Sequence, residues 1–427
     1  MKVLIFEAYT DANVGSASLI ENACNIVRSA FKDASISILA QNKEAVGRFS
    51  GLPVFSEIFI LPLNKGRLSQ AWWFVVNLFW MAADAFSRIS RLRAPCGFYT
   101  LSREKKRALK AIRESDVVFG IGAERINDNF FLALPFSLYS IWLVKSYNKK
   151  LILLPQTIGP FYFSVSKFFA RKALLLCDRI YTRDKRSLDV LKSLKIPEWK
   201  FKFVPDMALL QKTAPAEAIS RIRLKEGIPQ GVRFAGVSAL KWSYFKSNGN
   251  YAQYKEIMAK ACDYLSGEKD YHVIFMPTNV KVHGCREDDI ATAAEIHGLM
   301  KNKTRASLVT SLYTPAEIKG LCGLMDIFIA TRMHACILAT SAFVPTIAIN
   351  YQFKLYEYMK LLGLEYYSLD IGELDFGVLR SLMDDLCLYK ERLRPHLQRQ
   401  IAILGSRVHN TLSADLKDIT INDHGKP

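Results

Sequence analysis

The sequence predicts an α/β protein of two Rossmann-like, doubly wound domains facing a cleft, and three observations predict it. The chain has 427 residues, more than one ordinary hydrophobic core holds, so two domains are expected. Short apolar runs recur without polar alternation, the pattern of strands buried on both faces of a parallel sheet. Each run leads through a small-residue turn into a helical stretch, which is the order that winds helices over a parallel sheet.

The elements follow in that order. Lys2–Phe6 reads as the first strand. A polar turn with Asn13 and Gly15 comes next, then a helix from about Ala17 to Phe31. Ser35–Leu39, Asp116–Gly120, Leu151–Pro155 and Arg179–Thr182 read as further strands. Around Val204–Ala216 the run VPDMALLQKTAPA breaks the pattern and marks a connection. A second set begins beyond it, with strands at Phe234–Ser238, His272–Pro277, Ser307–Val309, Ile327–Ala330 and Thr346–Ile349. A long helix over about Gly377–Leu412 crosses back towards the first set, and the tail after Ser413 is polar and frayed. The expected domains are residues 1–212, carrying an apolar and basic insertion at about 68–113, and residues 213–376; residues 377–427 form a helical segment and tail. Ligands of such sheets lie at the carboxyl ends of the strands, so the site is sought there.

Charge and cysteine usage narrow the chemistry. The net charge of +18 favours anionic partners: phosphates, anionic sugars, lipid headgroups or nucleic acid. The basic residues follow no nucleic-acid reading motif, so nucleic acid is not expected. Eight cysteines are scattered without a CxxC pair, so no metal site is expected and a reducing compartment is. The opening MKVLIFEAYT reads as a strand rather than a signal peptide, which places the protein in the cytoplasm. One segment, AWWFVVNLFWMAA at 71–83, is too short to span a bilayer. Between Asp84 and Arg113 nine Arg or Lys stand against two acids. An apolar, Trp-rich helix followed by Arg88, Arg91 and Arg93 suits peripheral contact with anionic lipid at the inner membrane surface; the alternatives are a buried helix or a dimer contact.

Four short segments carry chemistry. In ATRMHACILATSAFVPTIAINYQFK, residues 330–354, a strand ends beside Arg332 and His334 where a helix begins. A helix amino terminus favours anions, Arg supplies a fork for phosphate or carboxylate, and His can hold a proton near neutral pH. Lys354 follows the next strand and could bring a second cation. In LLPQTIGPF, residues 153–161, Gln156, Thr157 and Gly159 stand at a strand's carboxyl end. In YTRDKRSLDVL, residues 181–191, Arg183 follows a strand. In FGIGAERINDNF, residues 119–130, the glycines permit close backbone approach, but the third glycine of a dinucleotide fingerprint is missing.

Taken together, Asn13 and Gly15, Gly120 and Gly122, Gln156 with Gly159 and Pro160, Arg183-Asp184 with Ser187, Pro205-Asp206, and Arg332 with His334 resemble the motifs of the polysaccharide pyruvyltransferases, over about residues 1–365. The segment HGCREDDIATAAEI, with Asp288 and Asp289, looks familial too. Ser16 stands where the family usually has Asp, and Ala123 breaks the glycine run.

The resemblance implies a two-domain fold like the GT-B glycosyltransferases. It implies phosphoenolpyruvate as co-substrate, a sugar acceptor that is free or lipid-linked, a pyruvate ketal as product, and no further cofactor. Donor contacts are then expected from Arg183, Arg332, Lys354, Gln156 and Gly159, and acceptor contacts from Asn13, Gly15, Gly122 and Glu124. His334 is the expected acid that protonates the donor's methylene carbon. The base for the sugar hydroxyl stays open among Glu7, Asp11, Glu124 and Asp128. Two other readings remain: a nucleotide-sugar glycosyltransferase on the same fold, and a non-catalytic glycan-binding scaffold at the membrane.

Overall fold

The computed structural model describes residues 1–62, 65–90, 102–122, 124–241, 248–282 and 287–421. Two compact units emerge. Unit 1 comprises Met1–Tyr9, Ala23–Val204 and the chain from Leu416; unit 2 comprises Thr10–Asn22 and Pro205–Asp415.

Unit 1 is built on a seven-stranded sheet in the order β3-β2-β1-β4-β5-β6-β7. Its elements are β1 (Lys2–Ala8), α1 (Val14–Ala30), β2 (Ser35–Ala40), α2 (Lys43–Ser50), β3 (Val54–Ser56), α3 (Arg67–Ser90), α4 (Arg103–Glu114), β4 (Val117–Gly120), α5 (Leu134–Ser146), β5 (Lys150–Gln156), α6 (Ser164–Leu176), β6 (Arg179–Thr182), α7 (Lys185–Ser193) and β7 (Phe201–Phe203). Every pairing is parallel; Leu4 of β1 lies between Ser37 and Val118. Such a sheet has both faces covered, so its strands can be apolar throughout. In β1 and β5 nearly every residue is buried.

Unit 2 carries a six-stranded parallel sheet in the order β10-β9-β8-β11-β12-β13. Its elements are α8 (Ala216–Lys225), β8 (Arg233–Ser238), α9 (Asn248–Gly267), β9 (Tyr271–Phe275), α10 (Asp289–Leu299), β10 (Ala306–Leu308), α11 (Pro315–Cys322), β11 (Ile327–Ala330), α12 (Met333–Ser341), β12 (Thr346–Asn350), α13 (Phe353–Leu361), β13 (Ser368–Asp370) and α14 (Phe376–Ile421).

The units divide the chain differently from the expected domains. The boundary falls at Val204/Pro205 rather than after residue 212, and the turn with Asn13 and Gly15 belongs to unit 2. The physical cause is a backbone bridge. Asn13 pairs with Asn279 in an isolated antiparallel bridge, Val14 N donates to Thr278 O and Val280 N to Ala12 O. The turn expected on the acceptor side is thereby tied to the second sheet.

The apolar segment lies within α3, and its two faces differ. Trp73, Phe74, Trp80 and Met81 pack on the core of unit 1, with Trp73 and Phe74 edge-on to Phe136 of α5. Asn77 and Asp84 are buried on the same side. Asp84 takes Arg88 and the Tyr139 hydroxyl, and Lys105 reaches Asn77 and lies over the Trp80 ring. Leu68, Trp72, Val75, Phe79, Phe86 and Ile89 form the exposed stripe. Arg88, expected to meet lipid, is half-buried and held by Asp84 and the Tyr147 hydroxyl. Arg91 and Arg93 lie outside the described residues. Among the described residues no helix is long and apolar enough to cross a membrane.

Candidate functional site

In unit 2 the site grows from the end of β11. Thr331 follows the strand, Arg332 is extended, and α12 begins at Met333 with His334 in its first turn. The Asn13 side chain caps α1 by accepting from Ser16 N at 2.7 Å. Together with the bridge to Thr278–Val280, this lays Gly15 flat against the His334 ring. A Cβ on Gly15 would stand 2.1 Å from His334 Nδ1, so only glycine admits the imidazole. On the ring's other side, Asp206 Oδ2 lies 4.0 Å from His334 Nε2. Asp206 is itself buried and fixed, because its Oδ1 accepts from Ala208 N. The imidazole is thus held between a backbone surface and a buried carboxylate.

Arg332 does not project freely into this site. Its Nε donates to Asp289 Oδ1 at 3.1 Å, and its other two nitrogens donate to Asp289 and Glu287. Asp289 is fixed in turn by Thr278 N, the Thr278 hydroxyl and Asn279 N on its other oxygen. Burial opposes the charge on Arg332, but the two carboxylates outweigh it and hold the guanidinium protonated beyond its ordinary range. The cluster Arg332, Asp289 and Glu287 therefore carries no net positive charge of its own. Arg332, expected as the main donor ligand, is first an organiser that ties the loop after β9 to the start of α12. Lys354 is buried in the first turn of α13. Neither α12 nor α13 is capped by its own N-cap side chain, whereas α10 and α11 are capped by Asp288 and Thr314. Adjacent strands β11 and β12 thus each lead to a helix amino terminus that its own N-cap side chain does not cover.

In unit 1 the two expected motifs after β5 and β6 interlock. Arg183 is buried, its Nε donates to Thr157 Oγ1, and the Thr157 hydroxyl donates to Asp184. Asp184 caps α7 through Ser187 N, and the Ser187 hydroxyl accepts from Ile158 N. Gly159 has φ +77° and a Cβ there would press on Val190, so glycine is required for the turn. Gln156 is fully buried at the end of β5. Gly122 lies between Gln156 and Glu7: a Cβ on it would stand 2.2 Å from Glu7 Oε2 and 3.4 Å from Gln156 Oε1. The Glu124 backbone oxygen accepts from the Asn127 side chain and so shapes the loop after β4. Ala123 lies outside the described residues.

The ten expected residues are therefore divided. His334, Arg332, Lys354, Asn13 and Gly15 belong to unit 2; Arg183, Gln156, Gly159, Gly122 and Glu124 belong to unit 1. Sequence reasoning missed Asp206 and Asp289 as the partners that hold His334 and Arg332. Both stood in motifs noted above, but nothing local tells which distant residue a carboxylate will meet.

Known proteins fall in line with this architecture. Solved structures share the two-unit fold at low identity: HepE of Anabaena in complex with UDP-glucose, with TM-score 0.59, 13% identity and coverage of 99% of this chain and 100% of that one; and the UDP-GlcNAc 2-epimerase of Neisseria meningitidis bound to UDP-GlcNAc, with TM-score 0.60, 12% identity and coverage of 98% and 100%. A glycosyltransferase of Rickettsia africae matches with TM-score 0.59 and 10% identity over 100% of this chain and 99% of that one. The fold is thus that of the GT-B glycosyltransferases and related epimerases, two Rossmann-like domains. Residues 13–352 match the model of the polysaccharide pyruvyl transferase family, and the chain belongs to that family. The amylovoran biosynthesis protein AmsJ of Erwinia amylovora is 21% identical over 268 residues, 61% of this chain and 64% of AmsJ, so the match spans less than two thirds of that relative.

Proposed function

We propose that the protein moves the pyruvyl group of phosphoenolpyruvate onto two hydroxyls of a sugar in polysaccharide building, forming a ketal and releasing phosphate. The observation that carries this reading is the seat of His334, wedged on Gly15 and 4.0 Å from Asp206 in the first turn of α12. His334 gives its proton to the donor's methylene carbon, which becomes a methyl group. The adjacent carbon takes up the first sugar oxygen, its bond to the phosphate oxygen breaks, and the second hydroxyl closes the ketal. The starts of α12 and α13, with Lys354 and the remaining N–H groups of Arg332, supply donors for the phosphate and carboxylate. The test is mass spectrometry of candidate acceptors incubated with phosphoenolpyruvate, with released phosphate assayed in parallel. Gain of one pyruvate ketal supports the reading. A product formed only from UDP-glucose would replace it with the glycosyltransferase reading, which the shared fold also accommodates.

We further propose that unit 1 works at a membrane surface on lipid-linked acceptors. The exposed stripe of α3 supports this, as does α6, where Val165, Phe168 and Phe169 are exposed beside Lys167, Arg171 and Lys172. Both helices lean on α5. Apolar side chains among cations suit an anionic interface.

A further inference from the structure

The sheet of unit 2 carries a polar hollow at the end of its strands opposite His334. Val232 leads into β8, His272 stands near the start of β9, and Ser307 near the start of β10, with Thr304 and Arg305 just before it. These three strands are neighbours. With Pro229, the five residues line a hollow of about 400 Å³. Pockets that hold small ligands begin at about 300 Å³. β8 runs from Arg233 at this end to Ser238, which pairs with Ala330 just before Thr331 and Arg332. At the usual strand rise that is roughly 16 Å, so the hollow is no part of the His334 site.

Positive charge gathers around it. Asp270 is shared by two guanidiniums, accepting from Arg305 at 2.6 Å and from Arg233 at 3.4 Å. Arg223 stands behind the rim and donates to Pro229 O. Glu226, the other carboxylate close by, is taken up by Thr310 N and by the Thr310 and Tyr313 hydroxyls. Inside the hollow, His272 Nε2 and the Ser307 hydroxyl lie 2.8 Å apart. Burial, with the charge of Arg305 adding to it, lowers the His272 pKa. Among the described residues, Arg305 Nε is buried and lacks an acceptor. A buried donor on a charged group is costly to leave unmet, and beside a hollow it calls for an oxygen from outside. Asp270, which holds both arginines, has φ +58°, a conformation rare for a residue with a side chain. Strain of this kind gathers at functional sites.

We propose that this hollow binds a phosphate group, either free or carried on a sugar. Arg305 offers its Nε to one phosphate oxygen, as guanidinium groups do with phosphate. The Thr304 and Ser307 hydroxyls, which donate as well as accept, serve the remaining oxygens or the hydroxyls of the sugar. The inference goes beyond the transferase reading and stands whether or not that reading holds. Its occupant binds at the amino ends of the strands and so does not compete for their carboxyl ends.

Titration calorimetry on the full chain tests it with inorganic phosphate, glucose 6-phosphate, glucose and acetate in turn. Phosphate and glucose 6-phosphate should bind, and glucose and acetate should not. Tighter binding of glucose 6-phosphate assigns the hollow to a phosphorylated sugar, and equal or tighter binding of phosphate assigns it to the free ion. Variants separate this binding from any at the start of α12. Arg305→Gln should weaken it by about tenfold or more. Val232→Trp fills the hollow from its exposed rim and should abolish it. His334→Gln should leave it unchanged. Both hollow variants should melt near wild type, because the Arg305 and Val232 side chains are partly exposed. Should Val232→Trp fail to fold, Arg305→Gln decides. A wild type that binds neither phosphate nor glucose 6-phosphate overturns the inference. So does an Arg305→Gln variant with the sites and affinities of wild type, or acetate that binds as tightly as phosphate.

Discussion

The His334 ring occupies the volume that any side chain on Gly15 would need, its Nδ1 lying 2.1 Å from that Cβ position. Two motifs more than three hundred residues apart are therefore one mechanical piece. Gly15→Ala should push the imidazole off Asp206 while leaving the α1 cap on Asn13 intact. Misplacement of a reacting group by about 1 Å can cost on the order of a hundredfold. Phosphate release should fall by roughly that factor, and the melting temperature should change little. A variant with wild-type turnover would show that the ring's position is immaterial.

Asp206 sets the second constraint on the same ring. Asp206→Asn keeps the shape and removes the charge that faces the ring, so turnover should fall. A working acid gives the rate profile an alkaline limb. His334→Gln should abolish that limb and lower turnover by about a hundredfold or more, since acid catalysis contributes about 10²–10⁴-fold. A limb that stays in place in His334→Gln would assign it to another group.

Arg332 is expected to announce itself through stability as well as activity. Removing it in Arg332→Met leaves Asp289 buried without its counter-charge. Breaking a buried pair from one side costs about 3–5 kcal/mol. Denaturant unfolding should register a loss of that size, and Arg332→Met with Asp289→Leu should recover much of it. Equal destabilisation of the single and double variants would mean that the ion pair is not what holds the loop.

The sequence made the buried strands legible because each is a continuous apolar run, as in VVFG of β4 or IFIA of β11. It did not reveal β3, β7 and β13, which are three-residue strands, all of them at sheet edges. So short a run has no period to read, and pairing with a neighbour creates it. The start of α12 was likewise legible, because Arg332 and His334 sit where an apolar strand stops. What local text could not contain was the meeting of Gly15 with His334, of Asp289 with Arg332, or of Gly122 with Glu7, since each joins separate strands or turns. For α3 the run of apolar residues hid its two-sidedness. Only the packed structure shows that Trp73 and Trp80 belong to the core and Trp72 to the surface.

Glu57 gives unit 1 a pH signature. Burial, with the like charge of Glu7 adding and Arg125 opposing, pushes its pKa from 4.5 up to about 7. A carboxyl raised in the folded state favours folding of the protonated form. Below pH 4.5 both states are protonated and the group costs nothing; as pH rises towards 7 the unfolded state ionises first and stability falls. Urea unfolding of wild type and Glu57→Gln across this window should show the variant gaining relative stability as pH rises. A difference that stays constant with pH would mean Glu57 ionises normally.

The membrane proposal yields the last prediction, and the structure decides which residues can test it. Trp73 and Trp80 are packed on Phe136, Phe59 and Tyr139, so replacing them would damage the core and confound any binding assay. Trp72 is 71% exposed and Phe79 62%, and both stand on the outward stripe. Trp72→Ser with Phe79→Ser should therefore leave the melting temperature near wild type. Flotation with vesicles containing anionic lipid should drop sharply in this variant. For the wild type, flotation should require the anionic component and weaken as salt rises, because the cations of α6 act over a screened distance of about 8–10 Å. Undiminished flotation of the double variant would remove α3 from the interface. Flotation on neutral vesicles that ignores salt would remove the electrostatic half of the proposal.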